Sequence, residues 1–301
     1  MHVALLYHGK LPVARYGGTE RVVVWLARGL AELGHKVSLL AAPGSKVPEA
    51  TLVPVDPERA ARADFDPRRI LPAGVDILHA HRPLGPSADL PIVWTLHGNA
   101  KPGQALPPGL ICLSANHAAR HGTDRYVYNG LDPADYAFSS EKGGADLFLG
   151  RLHSAKGYQW AIEGTRLAGQ ALVVAGGWRP SLRRNLRFVG EVGGEEKRWL
   201  LAEAPCLWMP ALWDEPFGLT LIEAMASGTP VLGTRRGALP EIVPPEAGAL
   251  ADTLDELVEL RRTTIGRLVP EACRAHVLRH FTHLTMASAY VAEYEKAVGG
   301  R

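Results

Sequence analysis

Two cations and two carboxylates have the residue types and spacing of a site for an anionic, hydroxyl-rich ligand. Arg151 and Lys156 follow a short apolar segment and flank the start of a predicted helix. A guanidinium can grip a phosphate through two parallel N–H groups, and an ammonium adds a compact positive charge. The glycine spacing is wrong for a Walker A loop, and no Ser or Thr follows Lys156. The pattern predicts a diphosphate site, with two solvated surface cations as the alternative.

The two carboxylates, Glu215 and Glu223, lie in a segment that runs from Trp213 to Pro230. Proline favours the first position of a helix and glycine favours its end, so Pro216 and Gly228 predict a helix over 216–227. The spacing of the two carboxylates corresponds to about 12 Å along a helix axis. That is too far for one metal ion or for the carboxylate pair of a retaining glycosidase. It suits two ends of an extended ligand that carries two sets of hydroxyls, with solvated carboxylates on a helix surface as the alternative.

Further candidates follow apolar segments in the N-terminal half. Gly17-Gly18 precedes a predicted helix, where backbone amides can approach an anion closely. A helix-entry turn capped by Thr19 is the alternative there. His81 and Arg82 follow one predicted strand, and His97 follows another. A place at a strand end favours binding over an ordinary polar loop residue, most strongly for His97.

The elements that would position these residues alternate between apolar strands and amphipathic helices. Predicted strands begin at residues 2, 36, 51, 75, 92, 110 and 126, and in a second series at 145, 171, 186, 206 and 230. Two such series predict an α/β fold with two Rossmann-like domains that face each other across a deep cleft. We expect an N-terminal domain over 1–138, with a C-terminal helix over 283–301 packed back on it, and a second domain over 139–282.

Composition excludes several classes of protein. Of the 301 residues, 47% are hydrophobic and 21% are charged, which excludes a wholly disordered chain. The net charge of +2 argues against nucleic acid as a main partner and against strong electrostatic attachment to a membrane. The 3 cysteines show no metal-ligand spacing, and no apolar stretch is long enough for a transmembrane helix. Because the first residues predict a strand and not a signal peptide, we expect a cytoplasmic protein.

The motifs stand in the order of a known family, and the sequence resembles glycosyltransferase family 4, retaining enzymes of the GT-B fold, over nearly the whole chain. The most specific match covers 215–231, which contains Glu-Pro-Phe-Gly-Leu and Glu-Ala-Met-Ala-Ser-Gly-Thr-Pro-Val. The other matching segments are 17–23, 76–81, 95–98, 129–132, 150–157 and 187–190. The chain is shorter than most members over 43–74 and after Pro83, where the acceptor site is usually shaped.

The resemblance implies roles for the matching residues. Arg151 and Lys156 would hold the donor diphosphate, Glu223 would bind the ribose, and Val189-Gly190 would lie near the base. The donor sugar and the distal phosphate would be bound by Glu215, Phe217, Gly218, Leu219 and Thr220. Gly17-Gly18 would face the phosphate and His97 would lie near the sugar, so that catalysis would depend on His97, Arg151, Lys156 and Glu215. The candidates for the acceptor side are Tyr16, His81 and Arg82.

We therefore expect a retaining hexosyltransferase that moves a sugar from a nucleoside diphosphate donor, with UDP as the family's commonest nucleotide, to a small or glycan acceptor. No metal or other cofactor is expected, because fixed positive groups would stabilise the leaving diphosphate. Asp64 and Asp66 imitate a metal-binding pair, but no predicted strand precedes them, and we interpret them as loop carboxylates. A non-catalytic nucleotide-sugar binding protein on the same fold is the alternative. The missing GxGxxG motif disfavours a dehydrogenase.

Overall fold

Apolar segments bounded by glycine, proline or polar residues form the strands of two parallel sheets. The computed structural model describes residues 1–13, 17–62 and 64–300. The strands are β1 (His2–Leu6), β2 (Lys36–Ala41), β3 (Thr51–Pro54), β4 (Ile77–Ala80), β5 (Ile92–Thr95), β6 (Leu110–Ile111), β7 (Asp146–Leu149), β8 (Leu172–Ala175), β9 (Leu186–Gly190), β10 (Leu207–Met209), β11 (Val231–Thr234) and β12 (Gly248–Ala251). The helices are α1 (Gly18–Glu32), α2 (Pro57–Ala61), α3 (Ala115–Arg120), α4 (Tyr158–Ala168), α5 (Gly194–Glu203), α6 (Leu219–Ala226), α7 (Leu239–Ile242), α8 (Leu254–Thr263), α9 (Pro270–His280) and α10 (His283–Gly299).

The first unit comprises the described residues of 1–13, 17–130 and 282–300, and its sheet has the strand order β3-β2-β1-β4-β5-β6. Helix α1 has a buried apolar stripe that includes Val22, Leu26 and Leu30. Helix α10 packs against α1. Gly29 permits this contact, because a Cβ there would lie 2.6 Å from the carbonyl oxygen of His283. The last helix of the chain therefore belongs to the first unit.

The second unit, residues 131–281, repeats this architecture with the strand order β12-β11-β10-β7-β8-β9. In each sheet the strand order reverses beside the first strand of its unit, as in dinucleotide-binding folds. The core of the second unit includes Phe148, Trp208 and Leu232. These features confirm the predicted α/β class with two Rossmann-like units. Among the described helices, none is both long and apolar enough to span a bilayer.

Three features differ from the sequence-based expectation. Strand β12 was not predicted, since its Gly-Ala-Leu-Ala sequence has no β-branched residue. The predicted strand at 126–128 forms only an isolated parallel bridge between Tyr126 and Cys112. The chain divides at 130/131 and 281/282, whereas the sequence suggested 138/139 and 282/283. Residues 131–138 associate with the second unit, where the Arg274 guanidinium lies 5.5 Å from the Phe138 ring centre.

Candidate functional site

Two loops at the carboxyl edge of the second sheet are held together by close backbone contact. One loop follows β7 and contains a 3₁₀ turn over Ser154–Lys156, and the other follows β10. Gly157 has a φ of +71°, and a Cβ there would lie 1.8 Å from the carbonyl oxygen of Pro210. The backbone N–H of Leu212 also donates to the oxygen of Ala155 at 2.8 Å. Because only glycine tolerates this approach, the sequence holds Lys156 beside the residues that follow Leu212.

Lys156, Glu215 and Trp213 form one cluster at this place. Lys156 Nζ lies 2.6 Å from Glu215 Oε2, and the indole N–H of Trp213 donates to the same oxygen at 2.9 Å. The ammonium also lies 4.7 Å from the centre of the Trp213 ring, within cation–π range. Glu215 is 8% exposed, so these two donors compensate a nearly buried charge. No described residue donates to Glu215 Oε1, so this oxygen can accept a hydrogen bond from a ligand hydroxyl.

The backbone of Glu215 is fixed by a further loop, which follows β11. Gly237 has a φ of +58°, and a Cβ there would lie 2.3 Å from the backbone nitrogen of Glu215. The N–H of the next residue, Ala238, donates to the carbonyl oxygen of Glu215 at 2.9 Å. Sequence reasoning missed Gly237, and its only local signal is a glycine that follows a strand. The Glu215 carboxylate therefore stands on a backbone that two loops hold in place.

Helix α6 begins later than predicted. The prediction of a helix over 216–227 is wrong at its start, because Gly218 has φ +90° and ψ +67°, which a right-handed helix does not contain. The 12 Å estimate along one helix fails with it, since Glu223 lies on α6 and Glu215 does not. Phe217 is 1% exposed and packs edge-on at 5.9 Å from Phe281, which anchors the turn. No described side chain caps the start of α6, so the N–H groups of its first residues, Leu219 and Thr220, are available to an anion.

Glu223 is buried in the second unit, so the alternative of a solvated surface carboxylate is wrong. Its side chain is 1% exposed. Lys197 Nζ on α5 lies 2.6 Å from both carboxylate oxygens, and the hydroxyl of Tyr136 donates to Oε1 at 2.7 Å. The contact with a ribose stays a prediction. Sequence reasoning missed Lys197 and Tyr136, because they lie 26 and 87 residues from Glu223 and no local pattern links them.

Arg151 and the Val189-Gly190 pair stand at the ends of β7 and β9, which are separated in the sheet by β8. Arg151 is exposed just beyond β7, and the pair ends β9. Gly176 joins the two places. Its N–H donates to the oxygen of Gly190 at 2.6 Å, and a Cβ there would lie 2.2 Å from the oxygen of Gly150. The predicted phosphate and base residues therefore share the carboxyl edge of the second sheet with Lys156.

In the first unit, Gly17 caps the start of α1. It has a φ of +151° and no side-chain cap, while Thr19, the cap in the alternative interpretation, lies inside the helix. A Cβ at Gly17 would lie 2.6 Å from Glu20 Oε2, and Glu20 Oε1 accepts a hydrogen bond from the hydroxyl of Tyr7 at 2.7 Å. A carboxylate therefore stands beside the predicted phosphate-facing turn of Gly17 and Gly18. Tyr16, predicted on the acceptor side, lies outside the described residues.

His81 and His97 come together beyond the carboxyl ends of β4 and β5. His81 Nδ1 and His97 Nε2 are 2.8 Å apart and share one hydrogen bond. Burial lowers the pKa of His97 to about 4 and holds the pKa of His81 well below its usual range. Both rings are therefore neutral near pH 7, so they can hydrogen-bond to a hydroxyl but bring no charge. Arg82 directly follows His81 and is partly buried.

A buried polar network beside this pair ties α10 to the first sheet. His79 Nδ1 lies 2.7 Å from the hydroxyl of Tyr294, and His79 Nε2 lies 2.8 Å from Thr95 Oγ1. The hydroxyl of Tyr290 lies 2.8 Å from the same Thr95 oxygen. The rings of His79 and His81 are 4.5 Å apart. The C-terminal helix therefore helps to position the strand ends that carry His81.

Cys112, His117 and His121 offer ligand atoms within 4.8 Å of one another, which is a spacing that a metal ion could use. Their nitrogens are already engaged. His117 Nδ1 accepts from the N–H of Leu113 at 3.1 Å, and its Nε2 lies 3.0 Å from the oxygen of Gly98. His121 bonds in the same way to the N–H of Ala100 and the oxygen of His117. We therefore assign the two histidines to holding the loop after β5 against α3.

Comparison with known proteins places these two units in a family. The family model described as "Glycosyltransferase Family 4" matches residues 16–132, and the one described as "Glycosyl transferases group 1" matches residues 146–265. AviGT4, a glycosyltransferase involved in avilamycin A biosynthesis, is 30% identical, with a TM-score of 0.85 over 100% of this chain and 98% of its own. The chain belongs to glycosyltransferase family 4. It is a glycosyltransferase with the GT-B fold.

Other relatives extend this assignment. The phosphatidyl-myo-inositol mannosyltransferase of Mycobacterium leprae is 28% identical over 93% of this chain and 93% of its own length. Anabaena HepE, solved in complex with UDP-glucose, is 16% identical and has a TM-score of 0.70 over the whole of both chains. HepE supports the family's fold and, at that identity, nothing finer. The family membership covers both units of the chain, because each family model matches one of them.

Proposed function

We propose that this chain is a retaining glycosyltransferase that takes a hexose from a nucleoside diphosphate donor without the help of a metal ion. The observation that carries the proposal is the cluster of Lys156, Glu215 and Trp213 beside the uncapped start of α6. This cluster and the start of α6 supply a cation, helix amides and a carboxylate oxygen at the carboxyl edge of the second sheet. These are the groups that a sugar linked to a diphosphate requires. The name of the mycobacterial relative, a mannosyltransferase, supports transfer of a hexose.

The chemistry follows from where charge develops. The bond between the anomeric carbon and the diphosphate oxygen breaks, and negative charge collects on the leaving diphosphate. Lys156, Arg151 and the first amides of α6 would stabilise that charge from fixed positions, which is the largest catalytic contribution in many enzymes. The acceptor oxygen then bonds to the anomeric carbon on the same face. Its proton passes to the leaving phosphate, so no covalent enzyme intermediate is needed.

The remaining contacts orient the donor. Glu215 Oε1 would accept hydrogen bonds from sugar hydroxyls, because its other oxygen is already held. Val189-Gly190 would border the base, for which we propose uracil, and Glu223 would stand at the ribose. The neutral ring of His97 would hydrogen-bond to a donor hydroxyl. These assignments carry over the family's roles residue by residue onto the matching positions of this chain.

A non-catalytic protein that binds nucleotide sugars would use the same edge of the second sheet. Calorimetry with UDP-, GDP- and ADP-sugars, with NAD as a control, would identify the nucleotide. Transfer to a panel of acceptors would then be followed by NMR of the product's anomeric proton, in parallel reactions with and without EDTA. We expect a product that keeps the donor's anomeric configuration and is formed at the same rate with EDTA. Inversion or loss of activity in EDTA would contradict the mechanism, and tight donor binding without transfer or hydrolysis would favour the non-catalytic alternative.

A further inference from the structure

Arg82 carries a hydrogen-bonding edge that no described residue of the chain engages. Its Nε and Nη2 atoms are buried, and neither atom has a hydrogen-bond partner among the described residues. Burial also lowers the pKa of Arg82. A buried guanidinium edge without an acceptor has lost its bonds to water and gained none in the protein, which costs stability. Folding alone gives no reason to place an arginine there.

Other arginines show how this chain satisfies the same edge. Arg261, which is 9% exposed, donates from Nε and Nη2 to the two oxygens of Asp146 at 2.8 and 2.9 Å. Arg68 uses the same two atoms on Asp66 at 2.6 and 3.0 Å. In both cases the planar fork meets two oxygens of one carboxylate, as its geometry favours. Arg82 has the same two donors and lacks the oxyanion.

The place of Arg82 in the fold is one where ligands bind. It follows β4, which lies beside β1 where the strand order of the first sheet reverses. Ligands of open parallel sheets bind beyond the carboxyl ends of the strands at this switch point. The preceding residue, His81, is 7% exposed and also has a buried ring nitrogen, Nε2, without a partner among the described residues. Two successive residues with unused polar atoms at this edge indicate a binding site.

We propose that Arg82 binds an oxyanion of the acceptor, a phosphate or carboxylate group, through its Nε and Nη2 atoms. The inference rests on the proposed glycosyl transfer, which assigns the donor diphosphate to Arg151 and Lys156 of the second unit. Arg82 lies in the first unit, and we assign the anion that it binds to the acceptor. The acceptor is accordingly a hydroxyl compound with a negative group, such as a sugar phosphate, a polyol phosphate or a uronic acid.

Binding of matched probes tests the proposal. Calorimetry would compare glucose 6-phosphate, glucuronate, inorganic phosphate and glucose on the parent and on Arg82→Gln, with UDP as the probe for the second unit. Loss of a charged, two-point contact should weaken binding of the anionic sugar about tenfold to a hundredfold and leave UDP binding unchanged. Binding of glucose 6-phosphate, of glucuronate or of inorganic phosphate would show whether Arg82 takes a sugar phosphate, a sugar carboxylate or free phosphate. Glucose is the neutral control. Lys156→Ala should do the reverse, losing UDP and keeping the anionic sugar.

Each failure in this experiment has its own meaning. If the parent binds UDP but no anionic probe at millimolar concentration, or if Arg82→Gln binds the anionic probes as the parent does, the inference is overturned. If UDP and the nucleotide sugars fail to bind, the proposed function is wrong. Comparing the binding of the anionic probes by the parent and by Arg82→Gln would still test whether Arg82 binds an oxyanion.

Stability gives a second readout that needs no ligand. Arg82→Met removes two buried N–H donors that have no acceptor among the described residues and should raise the midpoint of urea unfolding. Arg261→Met breaks a satisfied buried pair and should lower it. A fall in Arg82→Met as large as that in Arg261→Met would mean that the fold itself holds the guanidinium, and would overturn the proposal.

Discussion

Lys197 and Glu223 form a buried ion pair. Lys197 Nζ lies 2.6 Å from each carboxylate oxygen of Glu223, and the hydroxyl of Tyr136 is a second donor to that carboxylate. Side chains that are 9% and 1% exposed cannot exchange this pairing for water. The sequence identified Glu223 as a functional candidate from its place in a specific motif. It could not identify the partner, because the pairing depends on how α5 packs beside α6 and not on any local spacing.

Glu223→Gln should destabilise the second unit strongly, because it leaves the ammonium of Lys197 buried beside a neutral amide. Breaking a buried pair from one side costs about 3–5 kcal/mol of unfolding free energy. Urea unfolding of Glu223→Gln, Lys197→Met and the double variant would measure the coupling free energy between the two side chains. The double variant should lose less unfolding free energy than the two single variants lose together. The matched control is Asp252→Asn, in an exposed pair with Arg235. An unfolding midpoint for Glu223→Gln like that of Asp252→Asn would refute a structural ion pair.

At the scale of elements, glycines decide how the loops after the strands meet. Gly157 and Gly237 each bring one loop against the backbone of another, and Gly218 sets where α6 begins. The sequence predicted most strands and helices from apolar runs and glycine boundaries. It placed the start of α6 too early, because Pro216 is a good first helical residue and the conformation of Gly218 depends on loop packing. It missed β12 for lack of β-branched residues, and it could not show the approach of Gly157 to Pro210.

Gly157→Ala should impair transfer far more than Gly169→Ala. Both glycines have φ near +70°, so an alanine is strained at either position by about 1 kcal/mol. Only at Gly157 would the added carbon meet a carbonyl, while nothing lies within 4 Å of the position at Gly169. Displacing Lys156 by about 1 Å should lower kcat/KM about a hundredfold. Equal kcat/KM values for the donor in the two variants would show that this contact does not position Lys156.

At the scale of the whole molecule, the two units share a strand order but differ in their chemistry. The second unit carries the cationic and carboxylate cluster, and the first unit carries buried neutral histidines. Burial lowers the pKa of His79 to about 3, and the pKa values of His97 and His117 to about 4. The unfolded chain takes up these protons below pH 6.5, and the folded chain does not until about pH 4. Stability from these groups is therefore complete above pH 6.5 and is lost as the pH falls from 6.5 to 4.

The urea midpoint should accordingly fall between pH 7.5 and pH 5. His97→Gln should reduce that loss by about 2 kcal/mol, since the variant has no imidazole to protonate in the unfolded state. A parent whose stability is flat over this range, or a His97→Gln variant with the full dependence, would contradict the assignment of neutral buried rings.

The central claim is that Lys156 stabilises the diphosphate of a donor at the carboxyl edge of the second sheet. The most direct measurement is kcat/KM for sugar transfer by the parent, by Lys156→Ala and by Arg166→Ala. Arg166 is an exposed cation of the same unit that lies outside the cluster. Arg166→Ala therefore removes one positive charge, as Lys156→Ala does, without touching the cluster. At a temperature where unfolding curves show all three proteins folded, Lys156→Ala should lose about a hundredfold to a thousandfold and Arg166→Ala should match the parent. Parent-like transfer by Lys156→Ala would contradict the account.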